Sequence, residues 1–194
     1  MIFGGGKNKE LDKIAELLVK GITALFRERG ELEFSSPPKQ EKKTIIEYEG
    51  KMRADGMEKF NNEPTYVSAV NYYTNEADMQ KGKALGALVI YVEQAYLPKL
   101  MKLLQYPPVD DENEDAMLDS CGTLSNIIAG RFKSEMSSAG YIELEMSHFQ
   151  TYRNSAFAGV AFCRNEFDMY EVTFDIAGKK RLVMEISMGV VPKR

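Results

Sequence analysis

Asp115-Ala-Met-Leu-Asp-Ser-Cys-Gly-Thr-Leu-Ser-Asn-Ile-Ile-Ala-Gly-Arg131 is the run on which the reading of this chain turns. Its apolar residues recur at the 3.6-residue period, which predicts one long helix from Glu112 to Ser138. With about 100° of rotation per residue, Met117, Cys121, Leu124, Ile128 and Phe132 share one stripe. Asp119, Thr123, Asn126 and Gly130 share a second stripe, roughly opposite. The first is suited to a core and the second to whatever approaches from outside, although any amphipathic surface helix has a polar stripe. Gly130 adds a separate signal, because glycine within a helix costs about 1 kcal/mol against alanine and usually has a packing or contact reason.

Outward from this helix, composition bounds the possibilities. A chain of 194 residues with 44% hydrophobic and 28% charged residues suits one soluble domain with a substantial core. The net charge of −4, with both signs interspersed, carries neither the basic footprint of a nucleic-acid binder nor a polybasic membrane patch. No apolar run approaches the roughly 20 residues of a membrane span, and no secretory leader opens the chain, so a cytoplasmic protein is expected. Cys121 and Cys163 are too few for a disulfide framework and read as reduced core thiols. There is no zinc spacing, and the one histidine, His148, stands beside Phe149, where a structural or surface role is expected. No metal or cofactor site of the chain's own is expected. Gly4-Gly-Gly-Lys7 lacks the preceding strand and following Ser or Thr of a phosphate loop, so residues 1–8 are expected to be a flexible terminus ahead of a single domain over residues 9–194.

Leu11, Ile14, Leu17, Leu18, Ile22, Leu25 and Phe26 recur at three and four, predicting a first helix from Lys9 to Arg29, stopped near Gly30. After the Ser35-Ser-Pro-Pro38 loop the period becomes two. Strands are expected over Thr44–Met52, Pro64–Thr74 and Gly86–Val92, with turn chemistry at Asn61-Asn-Glu-Pro64. A short helix follows from about Gln94 to Gln105, with Pro98 best placed in its first turn. The acidic run Asp110–Asp115 leads into the long helix as a solvated start, and Asp111 with Glu114 has capping-box spacing. Beyond Gly140, strands are expected over Tyr141–Met146 and Ala156–Phe162. A final hairpin with one buried face is expected around Ala177-Gly178-Lys179: Tyr170, Val172, Phe174 and Ile176 point one way, and Leu182, Met184, Ile186 and Met188 repeat the pattern. Runs of strands with helices between them predict an α+β domain, its largely antiparallel sheet carrying the helices on one face.

The long helix also resembles the signature of the CheC, CheX and FliY phosphatases of bacterial chemotaxis. That signature is Asp or Ser, three residues, Glu, two residues, Asn, and then a Pro about twenty-one residues on. Asp119 matches the first position and Asn126 the asparagine, while Gly122, Leu124, Ala129 and Gly130 look like the usual surroundings. Thr123 stands where the family has glutamate, and Ser147 where it has proline. The first helix does not repeat the arrangement, so a single site is expected, as in CheX-like chains. The similarity plausibly spans Leu11 to Gly189, with Asp115–Gly130 its specific part.

The resemblance implies a function in which the motif helix inserts beside the phosphorylated aspartate of a CheY-like receiver domain. The asparagine orients the attacking water, the glutamate pairs with a receiver lysine, and the magnesium belongs to the receiver. Asn126 would orient water, since an amide both donates and accepts. Thr123 cannot supply a charge-assisted bond, typically worth about 1.5–3 kcal/mol. Asp119 is the alternative carboxylate, about 6 Å away along the axis. Asp119, Thr123, Asn126 and Gly130 together would meet the partner, and the resemblance also implies a homodimer. Three readings stay open: a receiver phosphatase, a non-catalytic receiver-binding module on the same fold, and an unrelated α+β interaction domain.

Overall fold

The computed structural model describes residues 9–194, and the expected flexible terminus lies outside them. In chain order the elements are α1 (Lys9–Gly30), β1 (Lys39–Thr44), β2 (Glu47–Tyr48), β3 (Lys51–Met52), β4 (Thr65–Tyr73), α2 (Glu76–Gln80), β5 (Gly86–Glu93), α3 (Leu97–Leu103), α4 (Glu114–Ser138), β6 (Glu145–Met146), β7 (Gln150–Arg153), β8 (Asp168–Ile176) and β9 (Lys179–Met188). The main sheet is antiparallel in every pairing and runs β1-β8-β9-β5-β4, with β6 and β7 both bonded to the far edge of β4. This is the expected α+β class.

One face of the sheet carries the helices. Leu11, Ile14, Leu18, Ile22 and Phe26 of α1 are buried against Val172, Phe174, Leu182 and Met184, while Leu124, Ile128 and Phe132 of α4 join the same core. The Tyr72 hydroxyl donates to the Ala129 carbonyl at 3.0 Å, and the Tyr72 and Phe132 rings meet edge to face at 5.6 Å, so α4 is tied to β4. α1 and α4 lie side by side and antiparallel, with Lys20 to Glu135 at 3.0 Å and the Arg131 guanidinium donating twice to Glu28 at 2.9 and 3.0 Å. That fork holds the Glu28 carboxyl below its ordinary value.

The opposite face is not left to water. Residues 45–60 and 154–169 fold over it, and Met52, Ala54, Phe60, Ala156 and Val160 pack on Val67, Val89, Tyr91 and Val183. The expected single buried face of the last hairpin is therefore corrected: Leu182–Met188 is buried on both sides. Beneath this cover a charged cluster sits on the sheet. The Lys59 ammonium lies 2.5 Å from Glu171 and 2.6 Å from Glu185, the Tyr91 hydroxyl donates to Glu185 at 2.5 Å, and Lys43 reaches Glu171 at 2.9 Å. Burial works against every one of these charges, and pairing offsets it. Burial and the neighbouring Glu185 raise the Tyr91 hydroxyl well above its usual value. Burial alone would raise Glu171, but the bonds from Lys59 and Lys43 outweigh it and hold that carboxyl low.

The local corrections have physical causes. Thr44–Met52 is not one strand: the chain leaves β8 after Thr44 and turns at Glu49 and Gly50, both left-handed, to make the separate β2–β3 hairpin. Tyr141–Met146 is strand only at Glu145–Met146, and Ala156–Phe162 is cover rather than strand, tied to the hairpin by one bridge between Met52 and Val160. The helix expected from Gln94 spans only Leu97–Leu103, with Pro98 in its first turn as anticipated. Glu112 lies outside α4. The cap is Asn113, whose side chain accepts from Ala116 N, in place of an Asp111–Glu114 box. Gly30 ends α1 by close approach, since a Cβ there would sit 3.0 Å from the Leu103 carbonyl, and the left-handed residue is Glu31. Cys121 is buried, whereas Cys163 is only partly so. The short α2, capped by Asn75, has no counterpart in the periodicity reading.

Candidate functional site

α4 presents the two stripes as the period requires. Met117, Cys121, Leu124, Ile128 and Phe132 are buried, while Asp119 and Asn126 are exposed and Thr123 and Gly130 partly so. Burial pushes the Cys121 thiol up to about 12, so it is an un-ionised core group behind the ridge. From Asp119 to Asn126 the ridge runs about 10 Å at 1.5 Å per residue. It is carried by a helix fastened on three sides, so its side chains are presented on a rigid support.

The ridge is not uniform. Asp119 and Thr123 line a shallow groove of about 370 Å³ whose far wall is Met101, Tyr106, Pro107 and Val109. Arg29 of α1 reaches that wall, donating to the Tyr106 hydroxyl at 2.8 Å. Asn126 and Gly130 lie beyond the groove on open surface. Among the described residues no hydrogen bond engages the Asn126 amide, which leaves both its donor and its acceptor turned to solvent. The structure thus brings Asp119 and Thr123 into one recess and leaves Asn126 a turn away on the same side.

The two helical glycines differ. A Cβ on Gly130 would meet nothing within 4 Å among the described residues, so no packing among them explains that glycine. Gly122 is the one with a packing reason: a Cβ there would fall 2.2 Å from Cε2 of Phe149, whose ring lies across the helix beside the ridge. Sequence reasoning treated Phe149 only as the neighbour of His148. The signal available was a glycine within a helical run, but its partner stands 27 positions away and nothing local identifies it. Ser147 is likewise structural. Its hydroxyl accepts from Asn71 N at 2.9 Å and donates to the His148 carbonyl at 2.9 Å, securing the turn between β6 and β7 against β4. His148 itself is exposed.

The arrangement offers an amide on open surface beside a carboxylate and a hydroxyl that line a shallow, open groove. It suits contact with a macromolecule better than capture of a small molecule, which favours concave, largely enclosed sites. Among the described residues no group of three or more His, Cys, Asp or Glu is arranged to hold a metal ion. Among the same described residues no helix is long and apolar enough to cross a membrane.

No protein-family model matches the chain, and no curated protein matches it in sequence. Solved structures do match in fold. A CheC-like superfamily protein from Shewanella sp. PV-4 superposes with a TM-score of 0.54 at 13% identity, covering 89% of this chain and 95% of that one. Chemotaxis protein CheX from Vibrio vulnificus gives 0.52 at 13%, covering 90% and 97%. CheX from Borrelia burgdorferi, in a complex with CheY, BeF3 and magnesium, gives 0.50 at 11%, covering 91% and 98%. The chain has the CheC/CheX-like fold.

Proposed function

We propose that the α4 ridge is a docking surface for the phosphorylated receiver domain of a CheY-like response regulator, in chemotaxis or related two-component signalling. The observation that carries this is the free, exposed Asn126 amide on a rigid helix, in a fold shared with a CheX that forms a complex with CheY. Asp119, Thr123 and Gly130 would contact the receiver around it. The bare Gly130 position lets a partner's backbone approach close to the asparagine. The magnesium would belong to the receiver, and the protein would work in the cytoplasm.

The same amide supports a catalytic version of this reading, an aspartyl-phosphate phosphatase. Phosphoryl transfer depends heavily on positioning and charge stabilisation, so a helix that orients a water on a receiver's own phosphoaspartate needs no nucleophile. Thr123 lacks the charge that would fix docking through a receiver lysine. Asp119 can replace it only in a shifted register, since it lies about 6 Å earlier on the axis. The non-catalytic version, a receiver-binding adaptor, is the alternative.

Phosphate release from a panel of phosphorylated receivers, alongside binding measured by titration, separates the versions. In the catalytic case Asn126→Ala abolishes the acceleration, and Thr123→Glu raises the rate about tenfold for every 1.4 kcal/mol of transition-state stabilisation regained. Asp119→Ala reports whether the earlier carboxylate has taken the glutamate's place. Binding with an unchanged autodephosphorylation rate leaves the adaptor, and absence of phosphorylation-dependent binding across the panel rejects the docking proposal.

A further inference from the structure

The flank of α4 that faces away from the groove carries a side chain from outside the helix. At about 100° per residue, Asn126 falls between Gly122, about 40° to one side, and Thr123, about 60° to the other. The Thr123 side opens onto the groove walled by Tyr106, Pro107 and Val109. The Gly122 side is taken by the ring of Phe149, which a Cβ on Gly122 would strike. Gly122 lies one turn before Asn126, so the ring meets the helix about 6 Å along the axis from the amide.

Phe149 is fastened on both sides. Before it, the Ser147 hydroxyl accepts from Asn71 N at 2.9 Å. After it, β7 pairs with residues 66–69 of β4, and the Arg153 guanidinium lies 3.7 Å from Glu114 at the start of α4. β7 therefore runs beside the part of α4 between Glu114 and Gly122, and delivers the ring to the ridge on a rigid support. The ring is nonetheless 37% exposed. Ile46, Tyr48, Phe157 and Phe167, which are also left exposed, stand on the cover across the sheet, whereas Phe149 rests on α4. A glycine is costly inside a helix. Here it seats an aromatic ring flat beside the ridge without removing it from water.

We infer, on the receiver-docking reading of the ridge, that Phe149 is an apolar anchor of that contact, and that the receiver sets an apolar side chain of its own against the ring. The relative strengths of the available contacts favour this. Asp119 is exposed, and pairs formed by exposed charges are screened by salt and contribute little. Thr123 carries no charge. Aromatic side chains covered near the middle of a contact are the ones whose truncation costs most, and an anchor ordered before binding loses little entropy on binding. With Phe149 covered on one flank and the groove on the other, Asn126 lies inside the contact and away from its wet rim. The receiver that fits is one whose exposed apolar side chain stands about one helical turn, about 6 Å along α4, from its phosphorylated aspartate.

The chain contains no tryptophan, so Phe149→Trp places a single reporter at the anchor. Produced with 5-fluorotryptophan, the full chain carries one fluorine resonance that no receiver shares. It is titrated with the panel of receivers, phosphorylated and unphosphorylated, while Kd is measured by calorimetry for wild type, Phe149→Trp, Phe149→Ala and Asp119→Ala, each shown to be folded by circular dichroism at the assay temperature. On binding a phosphorylated receiver the resonance shifts and loses its solvent isotope effect. Phe149→Trp, which keeps an aromatic ring, binds within about threefold of wild type, Phe149→Ala raises Kd by more than about tenfold, and Asp119→Ala raises it less than Phe149→Ala does. Binding by Phe149→Ala within about threefold of wild type, a fluorine resonance that stays open to solvent in the complex, or a larger loss from Asp119→Ala overturns the anchor and leaves receiver docking standing. Absence of phosphorylation-dependent binding by wild type to every receiver rejects the docking reading, and the anchor with it.

Discussion

Substituting Gly122 by alanine probes the one place where α4 is notched for another segment. A Cβ at this position would fall 2.2 Å from the Phe149 ring, too close to be relieved without the ring moving. Phe149 is 37% exposed and has water to swing into, so the ring rather than the helix yields. Burying a whole phenylalanine side chain is worth about 1.5–3 kcal/mol, and roughly two-thirds of this one is covered, so its displacement forfeits about 1–2 kcal/mol. Alanine in a helix returns about 1 kcal/mol over glycine. The net change expected for Gly122→Ala is therefore a small loss, about 0–1 kcal/mol. The informative measurement is a double-mutant cycle by urea unfolding at neutral pH. With the ring removed by Phe149→Ala, the Gly122→Ala substitution becomes stabilising by about 1 kcal/mol, giving a coupling of about 1–2 kcal/mol between the two sites. If Gly122→Ala costs the same in both backgrounds, the ring is not what the glycine accommodates.

Gly130→Ala is expected to stabilise the protein by about 1 kcal/mol, since its Cβ meets nothing; a destabilising result in urea unfolding would refute the open surface. Lys59→Met removes the ammonium between Glu171 and Glu185, the latter 3% exposed, and should cost about 3–5 kcal/mol in the same assay, as for other broken buried pairs. Because Glu171 is held below its ordinary 4.5, its contribution is fully present above that value and lost as pH falls through the lowered one. Wild-type stability should accordingly fall towards that of Glu171→Gln on acidification, and a gap unchanged between neutral and acid would count against the pairing. Asn126→Ala should leave stability within about 0.5 kcal/mol of wild type, as expected for an exposed side chain without internal partners.

What the sequence by itself determined was the periodic part of the molecule. The stripes of α1 and α4 were legible because one face of each helix meets a single core, which imposes a 3.6-residue period over more than five turns. β8 was legible because its helix-side residues alternate with a less buried outer face, and the β8–β9 turn because Ala177 and Gly178 take the left-handed conformations of a tight hairpin. The candidate ridge was legible for the same reason as the core, being the remainder of the α4 wheel. Tertiary structure decided what has no local period. β4 and β5 were legible as strands, but that both of their faces are buried was decided by the segments that fold over them. The split of Thr44–Met52 and the loss of strand over Ala156–Phe162 follow from where those segments find partners, on the cover and not in the sheet. Only the fold shows that Gly122 answers to Phe149 while Gly130 answers to nothing among the described residues, because a glycine's reason is the group lying against it. The same holds for Lys59, Glu171 and Glu185, three surface-like charges in sequence that the cover brings together and keeps from water.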